Sequence, residues 1–182
     1  MRVIAGSAKS LPLKVQTGTD TRPTTDRIKE TLFNMLQPFL ADSIFVDLFS
    51  GSGAIGIEAL SRGAGICYFV ENNPKAISCI QENLSFTRLE KKAIVIKQDV
   101  FASLQRIPQQ AVDVIFLDPP YDLGYEQKVL ESLSHLSYVT NDTLIVMEVS
   151  LHTTYSYLPE LGFEICKEKT YKTNKHIFLK RR

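Results

Sequence analysis

Asp47-Leu48-Phe49-Ser50-Gly51-Ser52-Gly53-Ala54-Ile55-Gly56 joins an apolar run, residues 44–48, to a stretch with helical character. Gly51, Gly53 and Gly56 satisfy G-x-G-x-x-G, and Glu71 closes the next apolar run twenty residues after Gly51. Between a strand and a helix, this spacing reads first as a dinucleotide site, with Glu71 placed as the acid for its ribose hydroxyls. The glycines alone do not select the ligand, because many ligands demand close backbone approach.

Outward from this loop, short apolar strands at 44–48, 66–70, 93–97, 112–117 and 143–149 alternate with helical stretches near 54–62, 74–88, 100–106, 125–136 and 153–160. Nearly continuous apolar strands with helical crossovers predict a parallel sheet covered on both faces. Segments 163–171 and 176–180, joined through Thr173-Asn174, read instead as an antiparallel hairpin on the sheet edge. Before the sheet, runs 2–5 and 13–15 predict a hairpin. Arg22-Pro23-Thr24-Thr25-Asp26 then opens a helix whose stripe is Ile28, Leu32, Met35, Leu36 and Phe39, ended by Pro38. The fold class is α/β, a doubly wound Rossmann-like sheet, mostly parallel. Residues 1–40 form an N-terminal β-hairpin and helix extension, and 41–182 form the sheet domain.

Composition narrows the function. The chain has 182 residues, 44% hydrophobic and 23% charged, which is ordinary for a globular protein and excludes collagen, disorder and a disulfide scaffold. No apolar run approaches the ~20 residues of a membrane span, and the N-terminus lacks a signal-peptide core, so no membrane partner is expected. Cys67, Cys79 and Cys166 form no CxxC and are odd in number, as expected of free thiols in the cytoplasm. His135, His152 and His176 are scattered, so no metal site is expected. The net charge of +1 divides into +3 over residues 1–40, −7 over 41–162 and +5 over 163–182. An acidic centre suits a small cation, and basic ends suit a polyanion.

In a doubly wound sheet the ligand lies at the carboxyl ends of the strands, at the topological switch point. Asp47, Glu71, Asp99 and Asp118 each stand at such an end or just beyond it. Four carboxylates repel the pyrophosphate of a dinucleotide, whereas they suit the ammonium and sulfonium of S-adenosyl-L-methionine. For Asp99, capping the following helix is an equally open role.

Asp118-Pro119-Pro120-Tyr121 ends the fourth core strand. Two prolines make the corner rigid and fix the directions of the Asp118 carboxylate and the Pro119 carbonyl. Both are acceptors for an exocyclic amine, and Tyr121 offers a face on which a base can stack. Such an amine is a poor nucleophile, because its lone pair is delocalised into the ring. Two acceptors on its hydrogens favour pyramidalisation and aim the lone pair at a sulfonium methyl, so positioning and electrostatics serve without a metal. The surplus proton leaves through Asp118 or water.

The chain resembles the RsmD family of 16S rRNA guanine-N2 methyltransferases, within the class I S-adenosylmethionine-dependent fold, over nearly its whole length. The resemblance rests on the run from Arg22-Pro23-Thr24-Thr25-Asp26-Arg27 to Asn34, on Asp47 to Gly53, on Glu58-Ala59-Leu60-Ser61-Arg62-Gly63, and on the Asp118–Tyr121 corner. It implies that Asp47 and the Ser50, Gly51, Ser52 and Gly53 backbone hold the methionine end of the cofactor. It further implies Glu71 on the ribose, Asp99 at the adenine amine, and Asn72 and Val100 beside them. Asp118, Pro119 and Tyr121 would act on the target guanine, position 966 in the usual rRNA numbering. Arg22, Thr24 and Arg27 would face the site or the RNA, with Lys9, Lys172 and Lys175 among the RNA-binding cations. The substrate would be 16S rRNA in the small ribosomal subunit or an assembly intermediate, the enzyme a cytoplasmic monomer and the product S-adenosyl-L-homocysteine. Fewer cations stand here than in the family: the hairpin loop offers only Lys9, and Asp122 and Leu123 follow Tyr121.

Other readings stay open. A DNA or protein-glutamine amino-methyltransferase would use a similar corner. A nicotinamide oxidoreductase would use the glycine loop, and a non-catalytic RNA-binding assembly factor would need only the basic ends.

Overall fold

The computed structural model describes residues 1–15, 26–107, 110–120 and 123–182. Strands β1 (Ile44–Leu48), β2 (Ile66–Val70), β3 (Ala93–Ile96), β4 (Val114–Leu117) and β5 (Leu144–Ser150) run parallel. Strands β6 (Phe163–Thr170) and β7 (Asn174–Arg181) form the expected antiparallel pair, with β7 hydrogen-bonded to β5. The order is β3-β2-β1-β4-β5-β7-β6. The chain thus moves outward from β1 to β3 and returns to pair β4 on the other side of β1. The switch point lies between β1 and β4, where the glycine loop and the Asp-Pro-Pro corner begin.

Alternation along the strands builds two apolar layers. Phe45, Phe69, Phe116, Val146 and Phe178 pack on one face with residues of α1 (Asp26–Leu36), α2 (Ala54–Ser61) and α3 (Pro74–Thr87). Val46, Val70, Ile115, Met147 and Leu179 pack on the other with α4 (Val100–Leu104) and α5 (Tyr125–Ser134). Every residue of β4 is buried, as a strand covered on both faces requires.

Residues 153–160 are not the expected helix. Residues 153–155 are irregular and 156–160 form turns, with Leu158 N bonded to Tyr155 O and, just beyond, Gly162 N to Pro159 O. Pro159 removes one donor and restrains Leu158, while burial of Leu158 fixes the path onto β6. Helix α4 is also shorter than its expected span of 100–106.

The N-terminal runs do meet, but as a single antiparallel bridge between Arg2 and Pro12. Their strands are short because the loop between them bonds to α2 instead. The Glu58 carboxylate accepts Ile4 N and Ala5 N at 2.8 and 3.1 Å, and Ser61 Oγ accepts Ala8 N at 3.0 Å. Gly6, at φ +85°, lies so close to this helix that a Cβ would land on the Ser61 carbonyl. The Glu58–Gly63 run is therefore largely a dock for the N-terminus. Val3, Ala8, Leu13, Leu32 and Phe33 belong to the same apolar layer as Phe45 and Ile57.

Candidate active site

The glycine loop folds over a buried acid. Asp47, at the end of β1, is 1% exposed, and its Oδ2 accepts Gly56 N at 2.9 Å. Burial pushes its carboxyl up to about 7, with the Gly56 bond opposing and the Glu71 charge adding. Asp47 thus lies beneath the loop rather than along its rim. Ser50 also turns inward, its Oγ donating to Asp47 O at 2.6 Å. Gly51 and Gly53 take left-handed φ of 54° and 77°, and at Gly56 a Cβ would strike the Phe69 ring and Cys67 Sγ. The third glycine therefore serves helix-on-strand packing.

Glu71 grips the loop from β2. Its Oε2 accepts Gly51 N at 2.9 Å, while Oε1 accepts Asn72 N and Asn73 N, each at 2.9 Å. From the opposite side the buried Asn83 of α3 donates Nδ2 to Ser52 O and to Lys14 O, both at 2.9 Å, and accepts Lys14 N at 2.8 Å. The N-terminal segment is thereby pinned to the glycine loop just before residue 16. Neither Asn83 nor this tie is marked by any motif in the sequence.

A cavity of about 390 Å³ opens beside the loop, with Glu71, Asn72, Asp99 and Val100 among its walls. Asp99 caps α4, its Oδ1 accepting Ala102 N at 3.1 Å. Three aromatic side chains complete the pocket. Tyr125 meets Phe49 edge-on at 5.8 Å and stacks on Phe101 at 6.0 Å. Gln98 lines the same cavity, and its Oε1 is buried without a hydrogen-bond partner. Sequence reading missed all four. The signal was available, since Phe49 and Gln98 directly follow the expected strands 44–48 and 93–97, and Phe101 comes two residues after Asp99. A pocket of this size suits a nucleoside-sized ligand, and its aromatic walls and carboxylates fit an adenosine attached to a cationic chain.

Pro120 lines the cavity, and Asp118 stands half-buried at the end of β4. Burial pushes the Asp118 carboxyl well above its ordinary range, helped by the charges of Glu148 and Asp47. Pro119 is buried. Arg22, Thr24 and Tyr121 lie outside the described residues.

Of the remaining expected cations, Lys9, Arg27 and Lys172 are exposed. Lys175 is 9% exposed, its ammonium 3.0 Å from Tyr155 Oη and 4.9 Å from that ring's centre. Arg181 likewise turns inward, onto the carbonyls of Val139 and Ser134. Among the described residues no group of His, Cys, Asp and Glu is arranged to hold a metal, and no helix is long and apolar enough to cross a membrane.

Strand order, glycine loop, acid after β2 and acidic corner after β4 together define a class I methyltransferase fold. Residues 1–180 match the family described as Conserved hypothetical protein 95, and the chain belongs to it. The YlbH protein of Bacillus subtilis is 41% identical over 162 residues, 88% of this chain and 86% of the relative. Ribosomal RNA small subunit methyltransferase D of Haemophilus influenzae is 34% identical over 172 residues, 93% of this chain and 88% of the relative. The solved structure of yhhF from Escherichia coli superposes with a TM-score of 0.86 at 29% identity, covering 100% of this chain and 98% of that one. The family is the one that the sequence motifs resemble.

Proposed function

We propose that this chain transfers a methyl group from S-adenosyl-L-methionine to the N2 amine of a guanine in 16S rRNA, leaving S-adenosyl-L-homocysteine. The observation that carries the reading is the acidic Asp-Pro-Pro corner beside a nucleoside-sized pocket at the switch point, in a chain whose relatives include small-subunit rRNA methyltransferases. The bound cofactor would supply a methyl on a sulfonium, a leaving group that needs no metal.

The chain's own residues divide the remaining work. Glu71 would take the ribose hydroxyls, Phe49, Phe101 and Tyr125 would enclose the adenine, and Asp99 and Val100 would meet its edge, with Asn72 beside the ribose. The loop from Ser50 to Gly53 would hold the methionine end, with the arriving ammonium favouring the ionised form of the Asp47 carboxyl beneath it. Asp118 and the Pro119 carbonyl would accept the two amine hydrogens, and Tyr121 would stack on the base. Burial and nearby carboxylates make Asp118 a stronger acceptor than a solvated aspartate. Lys9, Arg27 and Lys172, with Arg22 and Thr24, would contact the RNA. Lys175 would do so only by leaving Tyr155. The enzyme would work as a cytoplasmic monomer on the small subunit or an assembly intermediate.

Radiolabelled S-adenosyl-L-methionine tests this with wild type and Asp118→Ala. Substrates are small subunits lacking the modification, protein-free 16S rRNA, duplex DNA and total protein. N2-methylguanosine should appear in rRNA, with the rate at least roughly 100-fold lower in Asp118→Ala. Label confined to DNA or protein would overturn the rRNA assignment.

A further inference from the structure

Behind Asp118 lies a buried polar row, Glu148 and His176. Strand β4 pairs β5 at Leu117 and Met147, so the next step along both strands brings Asp118 level with Glu148. Strand β5 pairs β7 at Glu148 and His176. Side chains in register share a face, and alternation sets these three on the face of Phe116, Val146 and Phe178. Asp118, Glu148 and His176 therefore form one row across three neighbouring strands, running inward from the corner.

The row is held in place. Glu148 is 5% exposed and His176 fully buried. His176 Nε2 lies 2.9 Å from Glu148 Oε2, and Asn174 Nδ2 donates to Glu148 Oε1. With Nε2–H donating to the carboxylate, Nδ1 is left to accept Tyr171 Oη, 3.3 Å away. Tyr171 and Phe116 pack edge-on against the imidazole at 5.0 and 6.3 Å. A buried carboxylate with a donor on each oxygen and a ring fixed on two sides has little freedom to turn.

We propose that Glu148, clamped by His176 and Asn174, is a positioning residue that keeps the Asp118 carboxylate ready to take the proton lost by the newly methylated amine. The inference rests on Asp118 as the acceptor at that amine. Once the amine nitrogen has bonded to the methyl carbon, it carries a surplus proton. The N–H bond breaks with its electron pair staying on nitrogen, an O–H bond forms on Asp118, and the acid later returns the proton to water. A more basic carboxylate is a stronger acceptor for the amine hydrogens as the nitrogen bonds to the methyl, and a fixed negative charge beside Asp118 raises its basicity. The charges facing Asp118 are Glu148 from β5 and Asp47 from β1, with Glu71 of β2 acting on Asp47. His176 of β7 and Tyr171 of the preceding turn stand behind Glu148. Asp47 is tied to the glycine loop, so Glu148 is the charge dedicated to the corner.

The test reads Asp118 directly and the reaction separately. Carbon NMR of protein labelled at the aspartate carboxyls follows the titration, with Asp118→Asn identifying the signal. The pH profile of kcat/KM is measured on small subunits. In wild type the Asp118 midpoint should lie above the ordinary carboxylate range and coincide with the acid limb of kcat/KM. Glu148→Gln should lower both together, by about one pH unit, and reduce the plateau rate with KM for S-adenosyl-L-methionine unchanged. Glu148→Asp, which keeps the charge, should retain the raised midpoint. An ordinary wild-type midpoint overturns the proposal without any variant, even if Glu148→Gln fails to fold. Active wild type with an unshifted midpoint in folded Glu148→Gln overturns the proposal alone. No transfer by wild type at any pH overturns the reading of the site, and this proposal with it.

Discussion

Lys29 and Glu58 face each other 3.2 Å apart across the α1–α2 contact, and neither side chain reaches solvent. Arg62 joins Glu58 at 2.7 Å and lies over the Phe33 ring, while Lys29 Nζ also donates to Arg2 O at 2.6 Å. Burial lowers the Lys29 pKa and the Glu58 charge opposes it. One carboxylate thus gathers two cations and two backbone amides, joining the N-terminal loop, α1 and α2.

Removing that carboxylate should cost more than removing the lysine. Glu58→Ala strands Lys29 in the interior together with two amides, which by the usual cost of breaking a buried pair is about 3–5 kcal/mol. Lys29→Met leaves Glu58 with Arg62 and both amides and keeps an apolar stem, so the loss should be nearer ~1–2 kcal/mol. Urea denaturation of both variants gives the order. Limited proteolysis should also cut within residues 1–15 of Glu58→Ala first.

Asn83 is expected to affect ligand binding from outside the pocket. Its side chain bridges Lys14 and Ser52, so Asn83→Ala frees the glycine loop on one side and leaves two carbonyls without this donor. Stability should fall by about 1–3 kcal/mol. S-adenosyl-L-homocysteine affinity, measured by calorimetry at a temperature where the variant is folded, should fall severalfold. Asn83→Asp should be worse, since its carboxylate faces two carbonyl oxygens. Affinity unchanged in both variants would show that the loop holds its shape without Asn83.

Strands β1 to β5, the antiparallel pair and the placing of Asp118 were legible because buried parallel strands announce themselves as apolar runs and prolines mark corners. The helix expected at 153–160 failed because Tyr155, Tyr157 and Leu158 can satisfy an apolar stripe in turns as well as in a helix. Asn83, Lys29 and His176 were not legible. Each is a polar residue whose partner lies on an element far away in sequence, Lys29 with Glu58 and His176 with Glu148, and no local pattern encodes that pairing. The aromatic pocket was half legible. Its acids have a spacing rule, whereas Phe49, Phe101 and Tyr125 resemble any core aromatic until the fold brings them together.

Asp47 should leave a mark on stability as a function of pH. Its carboxyl rises from 3.8 to about 7 on folding, chiefly through burial. Between those values the folded protein holds more protons than the unfolded chain, so stability falls as pH rises through that window. The contribution is complete below about pH 4 and gone above about pH 7. Asp118 is shifted the same way, so wild type should be more stable at pH 5 than at pH 8 as far as these two acids decide it. Asp47→Asn keeps an oxygen for Gly56 N and removes the titration. It should shrink the difference between pH 5 and pH 8 by about 2–3 kcal/mol, mainly by raising stability at pH 8. Urea unfolding of both proteins at the two pH values measures this. An unchanged gap in Asp47→Asn would mean that Asp47 stays ionised in the folded protein, held charged beneath the loop at neutral pH.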